Sequence, residues 1–207
     1  MSPDAEQLYH DGCLAFNQGK YSEAIDKATK CIELTEVDSY WYAEALALRC
    51  WAANFADDQE RVSRDANALL VLDTGDDKMW FDGLAVMNLA LVKRRLGDVG
   101  QAETLFDQAR AKFSSHRVRP EKSDHWRLMR EFFEAVSDWA SSGTTDKLDR
   151  LSGRLSVTKD PSDETTSLRR VVDLYQRHAR GEDVDDDAHR AADDGVSRAY
   201  LSALLIN

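Results

Sequence analysis

The stretch Leu8–Leu34, LYHDGCLAFNQGKYSEAIDKATKCIEL, decides the fold. Apolar residues recur in it at helical spacing, in two runs that break at Gly19-Lys20. Leu8, Cys13, Ala15 and Phe16 form one stripe, and Tyr21, Ala24, Ile25, Ala28 and Ile32 form the other. Residues at i, i+3, i+4 and i+7 share one face of a helix, so each run reads as an amphipathic α-helix. Gly12, Ala24 and Ala28 are small where the two helices must touch. Axes roughly 8–10 Å apart require small side chains at the crossing. The stretch is therefore read as a helical hairpin.

Its layout recurs downstream. With Gly12 as origin, the turn residue Gly19 comes seven positions later, Ala24 twelve later, then Ala28 and Cys31. From Cys50 the same offsets reach Asp57, Val62, Ala66 and Leu69. From Ala90 they reach Gly97, Ala102, Phe106 and Ala109. One hairpin cannot bury its apolar face alone, whereas stacked copies bury a continuous core. The expected fold class is all-α: an α-α superhelix, a solenoid of antiparallel hairpins with about ten helices and no strand.

The expected organisation is one domain over residues 1–207. It comprises hairpins at 5–36, 42–73 and 82–114, a diverged hairpin at 122–157 and capping helices at 162–207. Asp124–Ala140, DHWRLMREFFEAVSDWA, supplies the amphipathic helix of the fourth pair. The last helix is expected around Val196–Ile206.

Gly12, Gly19, Tyr21 and Ala24 in the first unit resemble the tetratricopeptide repeat. So do Ala90, Gly97, Ala102, Phe106 and Ala109 in the third. The second unit is degenerate, with Cys50 and Val62 at the glycine and alanine places. Leu8 and Asp11 stand at the repeat's helix-one Trp and Leu, and the closing Pro is absent from all three units. The origins lie 38 and then 40 residues apart, longer than the usual repeat. The resemblance spans about residues 5–115. It implies a concave face, lined by the first helix of each hairpin, that holds a peptide or a partner helix.

Projecting one face of those helices places Tyr9, Cys13, Phe16 and Asn17 of the first unit in the groove. The second unit gives Trp51, Asn54 and Phe55, and the third gives Met87, Asn88, Leu91, Arg94 and Arg95. Rings supply contact area, amides direction and arginines charge. Asn54 and Asn88 are the more telling positions, since a core does not need them. The competing reading makes the aromatic residues packing between hairpins. Some proteins of this kind clamp a C-terminal carboxylate with Lys, Asn and Arg. The matching positions here are Tyr9, Cys13, Leu48, Leu84 and Asn88, of which only Asn88 is an amide, so that clamp is not expected.

Composition narrows the function further. The chain has 207 residues, 43% hydrophobic and 31% charged, and only three prolines and ten glycines. That is a folded composition suited to long helices. A net charge of −11 and a pI near 4.9 disfavour nucleic acid and anionic membranes as partners. No run is long and apolar enough to span a membrane. No signal peptide is visible, so a cytoplasmic location is expected. The three cysteines, Cys13, Cys31 and Cys50, lack metal or redox spacing and read as free thiols. Cys31 and Cys50 fall on helices that would neighbour each other, so a bridge between them is conceivable.

Nothing in the sequence supplies a chemistry. No phosphate-binding loop, nucleophile elbow or dinucleotide fingerprint is present. His10, His116, His125, His178 and His189 are dispersed. Asp183, Asp185, Asp187 and Asp194 mimic a calcium loop but lack its glycine, and they suit a helix start better. The basic residues Lys93, Arg94, Arg95, Arg110, Lys112, Arg117, Arg119 and Lys122 could hold a phosphate or an acidic peptide. Solvated helix ends account for them as well. The expectation is a non-enzymatic adaptor, with no cofactor and no metal, that binds a protein or peptide. Alternatives are a self-associating module forming a homodimer, or a helical enzyme or regulatory subunit using Arg94, Arg95, His116 and His125.

Overall fold

The computed structural model describes residues 3–37, 39–116, 124–156, 163–193, 200, 201 and 204. Among these the secondary structure is entirely helical. Ten α-helices run α1 Pro3–Asn17, α2 Tyr21–Glu33, α3 Tyr40–Phe55, α4 Gln59–Val71, α5 Lys78–Arg95, α6 Val99–Ser115, α7 Asp124–Ser142, α8 Asp146–Ser156, α9 Asp163–Ala179 and α10 Asp185–Asp193. A 3-10 turn at Gly75–Asp77 leads into α5. Each helix packs on the next, and further contacts join α1 to α3 and α3 to α5. No helix among the described residues is long and apolar enough to cross a membrane.

The turns repeat as the helices do. Gly19, Asp57 and Gly97 have φ of 73°, 59° and 76°, the left-handed region that ends a helix. At each, that residue's N–H donates to the carbonyl three back, and the next N–H donates to the carbonyl five back from its own position. The pairs are Gly19–Phe16 and Lys20–Ala15, Asp57–Asn54 and Asp58–Ala53, Gly97–Arg94 and Asp98–Lys93. The turn at Gly181, φ 82°, closes α9 with the same two bonds, Gly181–His178 and Glu182–Arg177. Asp58 and Asp98 then cap the following helices, accepting from Arg61 N at 3.0 Å and Gln101 N at 3.3 Å.

The spaced positions form the core. Ala24, Ala28, Cys31, Cys50, Val62, Ala66, Leu69, Ala90, Ala102, Phe106 and Ala109 are all buried. Leu155, Leu168, Tyr175 and Leu204 extend the same apolar cluster into the C-terminal half. Gly83 is a close-approach point that the spacing does not mark. A Cβ there would lie 2.5 Å from the Phe113 ring, so only glycine lets α5 settle on α6. Gly12 is less confined, with Leu48 Cδ2 at 3.0 Å from the corresponding position.

Polar groups stitch the hairpins together. Arg49 on α3 donates to both oxygens of buried Asp65 on α4, at 2.7 and 2.9 Å, and to Thr29 Oγ1 on α2 at 3.1 Å. Buried Asp82 is held by Lys78 and by Lys112 Nζ at 2.9 Å.

Three helices start earlier than the expected hairpin boundaries, the first of them α1 at Pro3 and not at residue 5. Ser39 Oγ accepts from Tyr42 N at 3.2 Å, so α3 begins at Tyr40 and not at residue 42. The 3-10 turn feeds α5 from Lys78 and not from residue 82. Most of the expected helix at Val196–Ile206 falls outside the described residues. Of it, Leu201 and Leu204 are buried.

Candidate binding cleft

Helices α1, α3, α5 and α7 each turn residues toward one shared cleft of about 380 Å³. These residues follow helical spacing. From α1 come Tyr9, Cys13, Phe16 and Asn17, at i, i+4, i+7 and i+8. From α3 come Tyr40, Trp41, Glu44, Ala47, Leu48 and Trp51. Trp80 and Leu84 represent α5, and Met129 and Phe133 represent α7. Tyr200 closes one side, its ring 5.6 Å from Phe132 and 6.2 Å from Phe133.

Two aromatic networks make the walls. Tyr9, Trp41 and Tyr40 meet edge-on in sequence, with centroids 5.4 and 5.6 Å apart. Opposite them, Phe133 lies 6.3 Å from Trp51 and 5.6 Å from Trp80. Such contacts fix ring orientation, so the walls are preorganised. Trp51 and Trp80 are nearly buried, whereas Tyr9, Tyr40 and Trp41 are half-buried.

Polar character enters at Glu44. Tyr9 Oη donates to Glu44 Oε2 at 2.9 Å, and Tyr40 also hydrogen-bonds this carboxylate. Burial, and then the adjacent Glu44 charge, push both tyrosine hydroxyls well above their ordinary ionisation range. Both remain proton donors at neutral pH. Burial likewise pushes the Cys13 thiol up to about 11, so it is no nucleophile at neutral pH.

Of the residues projected onto the groove, Tyr9, Cys13, Phe16, Asn17 and Trp51 share the cleft wall. The others lie elsewhere. Asn54 and Asn88 are 0% and 1% exposed and bond to each other between α3 and α5. Their expected place on an open groove is corrected: a paired amide costs little to bury, and both amides are paired. Met87 and Leu91 are fully buried core, within a stretch of α5 from Trp80 to Val92 in which every residue but Leu89 is buried. Phe55 stacks on Tyr21 at 5.3 Å, at the turn end of the first two hairpins. The Arg94 guanidinium sits over the Phe106 and Trp139 rings at 5.1 and 5.6 Å. Arg95 pairs with Asp57 at 2.9 Å and donates to the Asn54 carbonyl at 2.6 Å.

Residues the projection missed lie mainly on α3. Tyr40 and Trp41 precede the expected hairpin start, and Glu44 is one turn beyond them. The Ser39 cap was the signal available for them. Trp80 and Leu84 sit one to two turns before the segment projected from α5.

Other candidate chemistries separate in space. His116 is buried beside Asp77 at 3.4 Å and Trp80, away from Arg94 and Arg95. The side chain of His125 lies outside the described residues. Among those residues no group of three or more His, Cys, Asp or Glu could hold a metal ion. Asp185 and Asp187 begin α10, and Asp187 pairs with Arg177 at 2.9 Å, while Asp194 lies outside the described residues. Arg110 pairs with Asp107 and Asp138, and Lys112 with Asp82. Arg117, Arg119 and Lys122 lie outside the described residues. The three cysteines are free, and the Cys31 and Cys50 thiols instead approach the Ala5 and Val62 carbonyls.

No protein-family model matches the chain, and no curated protein or solved structure is significantly similar to it.

Proposed function

We propose that the chain is a tetratricopeptide-like adaptor whose aromatic cleft binds a short segment of a protein partner, without catalysis. One observation carries this reading: four successive odd-numbered helices contribute to a single cleft lined mostly by rings. Rings held in mutual contact lose little freedom when a ligand arrives, so binding gives up less ordering entropy. Aromatic side chains concentrate binding energy at interfaces. The repeated turns and sequential packing support the repeat architecture behind it. A volume of about 380 Å³, near the low end of the ~300–1,000 Å³ typical of ligand sites, suits a few side chains better than a whole helix.

The test is selection from a random peptide library on the immobilised chain. Enrichment is expected, and it disappears with Trp41→Ala, which removes a half-buried wall residue without opening the core. Absence of enrichment, or enrichment indifferent to Trp41→Ala, contradicts the proposal.

A further inference from the structure

Among the described residues, Tyr200 alone lines the cleft from outside α1, α3, α5 and α7. Its backbone is fixed apart from its ring. Tyr175 Oη on α9 donates to the Tyr200 carbonyl at 3.0 Å, and the following Leu201 and Leu204 are buried. The ring itself is half-buried and meets Phe132 and Phe133 edge-on, at 63° and 71°. Most other rings of the wall serve the fold as well. Phe16, Trp51, Trp80 and Phe133 are nearly buried members of the core, and Tyr9 and Tyr40 are tied to Glu44. Removing the Tyr200 ring therefore enlarges the cleft with the stack in place. The space it vacates adjoins Phe133, whose ring meets Trp51 and Trp80. A cavity lined by such groups stays dry and takes an apolar occupant. Ala47, Leu48, Leu84 and Phe133 likewise offer an occupant no side-chain hydrogen bond, so a polar group there would be desolvated without a partner. An apolar pocket discriminates by size: one methylene too many or too few changes affinity roughly tenfold or more.

Resting on the docking role proposed above, we infer that Tyr200 is the specificity-determining residue of the cleft. The occupant is an apolar side chain of the partner segment. The Tyr200 ring limits its size by steric exclusion, which is how a rigid site rejects a near-miss ligand.

The same peptide selection, run in parallel on the wild-type chain and on Tyr200→Ala, tests this, with circular dichroism melts to check the fold. Both chains are expected to enrich an apolar residue at one peptide position, and Tyr200→Ala to enrich a larger one. Two peptides that differ only at that position then read the preference directly. The wild-type chain is expected to bind the peptide with the smaller residue roughly tenfold or more tighter, and Tyr200→Ala to prefer the larger. A reversal of preference is the informative readout, because a merely structural role for Tyr200 would weaken both peptides alike. Equal weakening of the two, or the same preferred size on both chains, overturns the assignment of Tyr200 and leaves the docking role standing. Enrichment that contains no apolar residue also overturns it. No enrichment on either chain overturns both. Should Tyr200→Ala melt early, Tyr200→Leu serves instead: it is a smaller truncation, expected to shift the preferred size in the same direction.

Discussion

Asn54 Nδ2 donates to Asn88 Oδ1 at 2.9 Å and to the Asn88 carbonyl at 3.1 Å, joining α3 to α5 inside the stack. Asn88 Nδ2 in turn donates to the Leu84 carbonyl at 3.0 Å, and Arg95 caps the Asn54 side. The two amides are therefore structural. Asn88→Ala is expected to destabilise the fold by about 1–3 kcal/mol, because it strands a buried donor on Asn54. Urea unfolding measures this. Peptide binding by the variant, at a temperature where it is folded, should match wild type, since neither amide lines the cleft.

Gly83 and Gly12 should respond differently to alanine. Alanine gains about 1 kcal/mol of helix propensity over glycine at either site. At Gly83 the added methyl meets the face of Phe113 at 2.5–2.8 Å, and Phe113 is fully buried and hemmed by Trp80 and Phe133. Overpacking of that kind costs about 1–3 kcal/mol, so Gly83→Ala should be net destabilising. At Gly12 the near neighbour is a leucine methyl that can swing aside. Gly12→Ala should lie within about 0.5 kcal/mol of wild type. Thermal unfolding of the pair decides it.

The Arg49–Asp65 pair is a buried fork, with Asp65 only 1% exposed. Removing one partner leaves the other charged and desolvated, so Asp65→Ala should cost about 3–5 kcal/mol. Replacing both, as Arg49→Met with Asp65→Leu, should recover most of that loss. Equal loss in the single and double variants would refute this account of the pair.

Alkaline pH should weaken the fold through Cys13. Its folded thiol titrates at about 11, above the ordinary thiol value near ~8.5. Between those values the unfolded chain releases a proton that the folded chain keeps. The contribution of Cys13 is therefore complete below the ordinary thiol range and is lost as pH rises through about 11. Urea midpoints measured across this window should fall less steeply for Cys13→Ser. Alkylation of Cys13 in the folded chain should follow the same raised value.

Much of the architecture was readable because it is local. Gly19, Asp57 and Gly97 stood out by spacing, and each adopts the same left-handed turn. The cleft was harder to read because it depends on long-range packing. Helical projection treats α5 as one-sided, but all of it from Trp80 to Val92 except Leu89 is buried, with Phe133 of α7 against Trp80. Met87 and Leu91 thus become core. Asn54 and Asn88 read as exposed because they are polar, yet Asn54 donates to Asn88, Asn88 donates to the Leu84 carbonyl, and Arg95 donates to Asn54. Nothing in the sequence marks Glu44, because a glutamate on a helix ordinarily faces water. Only the fold brings Tyr9, 35 residues away, to its carboxylate.

The most direct measurement is a titration of a selected peptide followed by the tryptophan indole N–H signals of the isotopically labelled chain. Trp41, Trp51 and Trp80 line the cleft, whereas Trp139 packs against Tyr175 and His178. Binding in the cleft predicts that the first three signals shift together, saturating at one peptide concentration, while that of Trp139 stays in place. Shifts confined to Trp139, or none at a concentration where the peptide is bound, would contradict it.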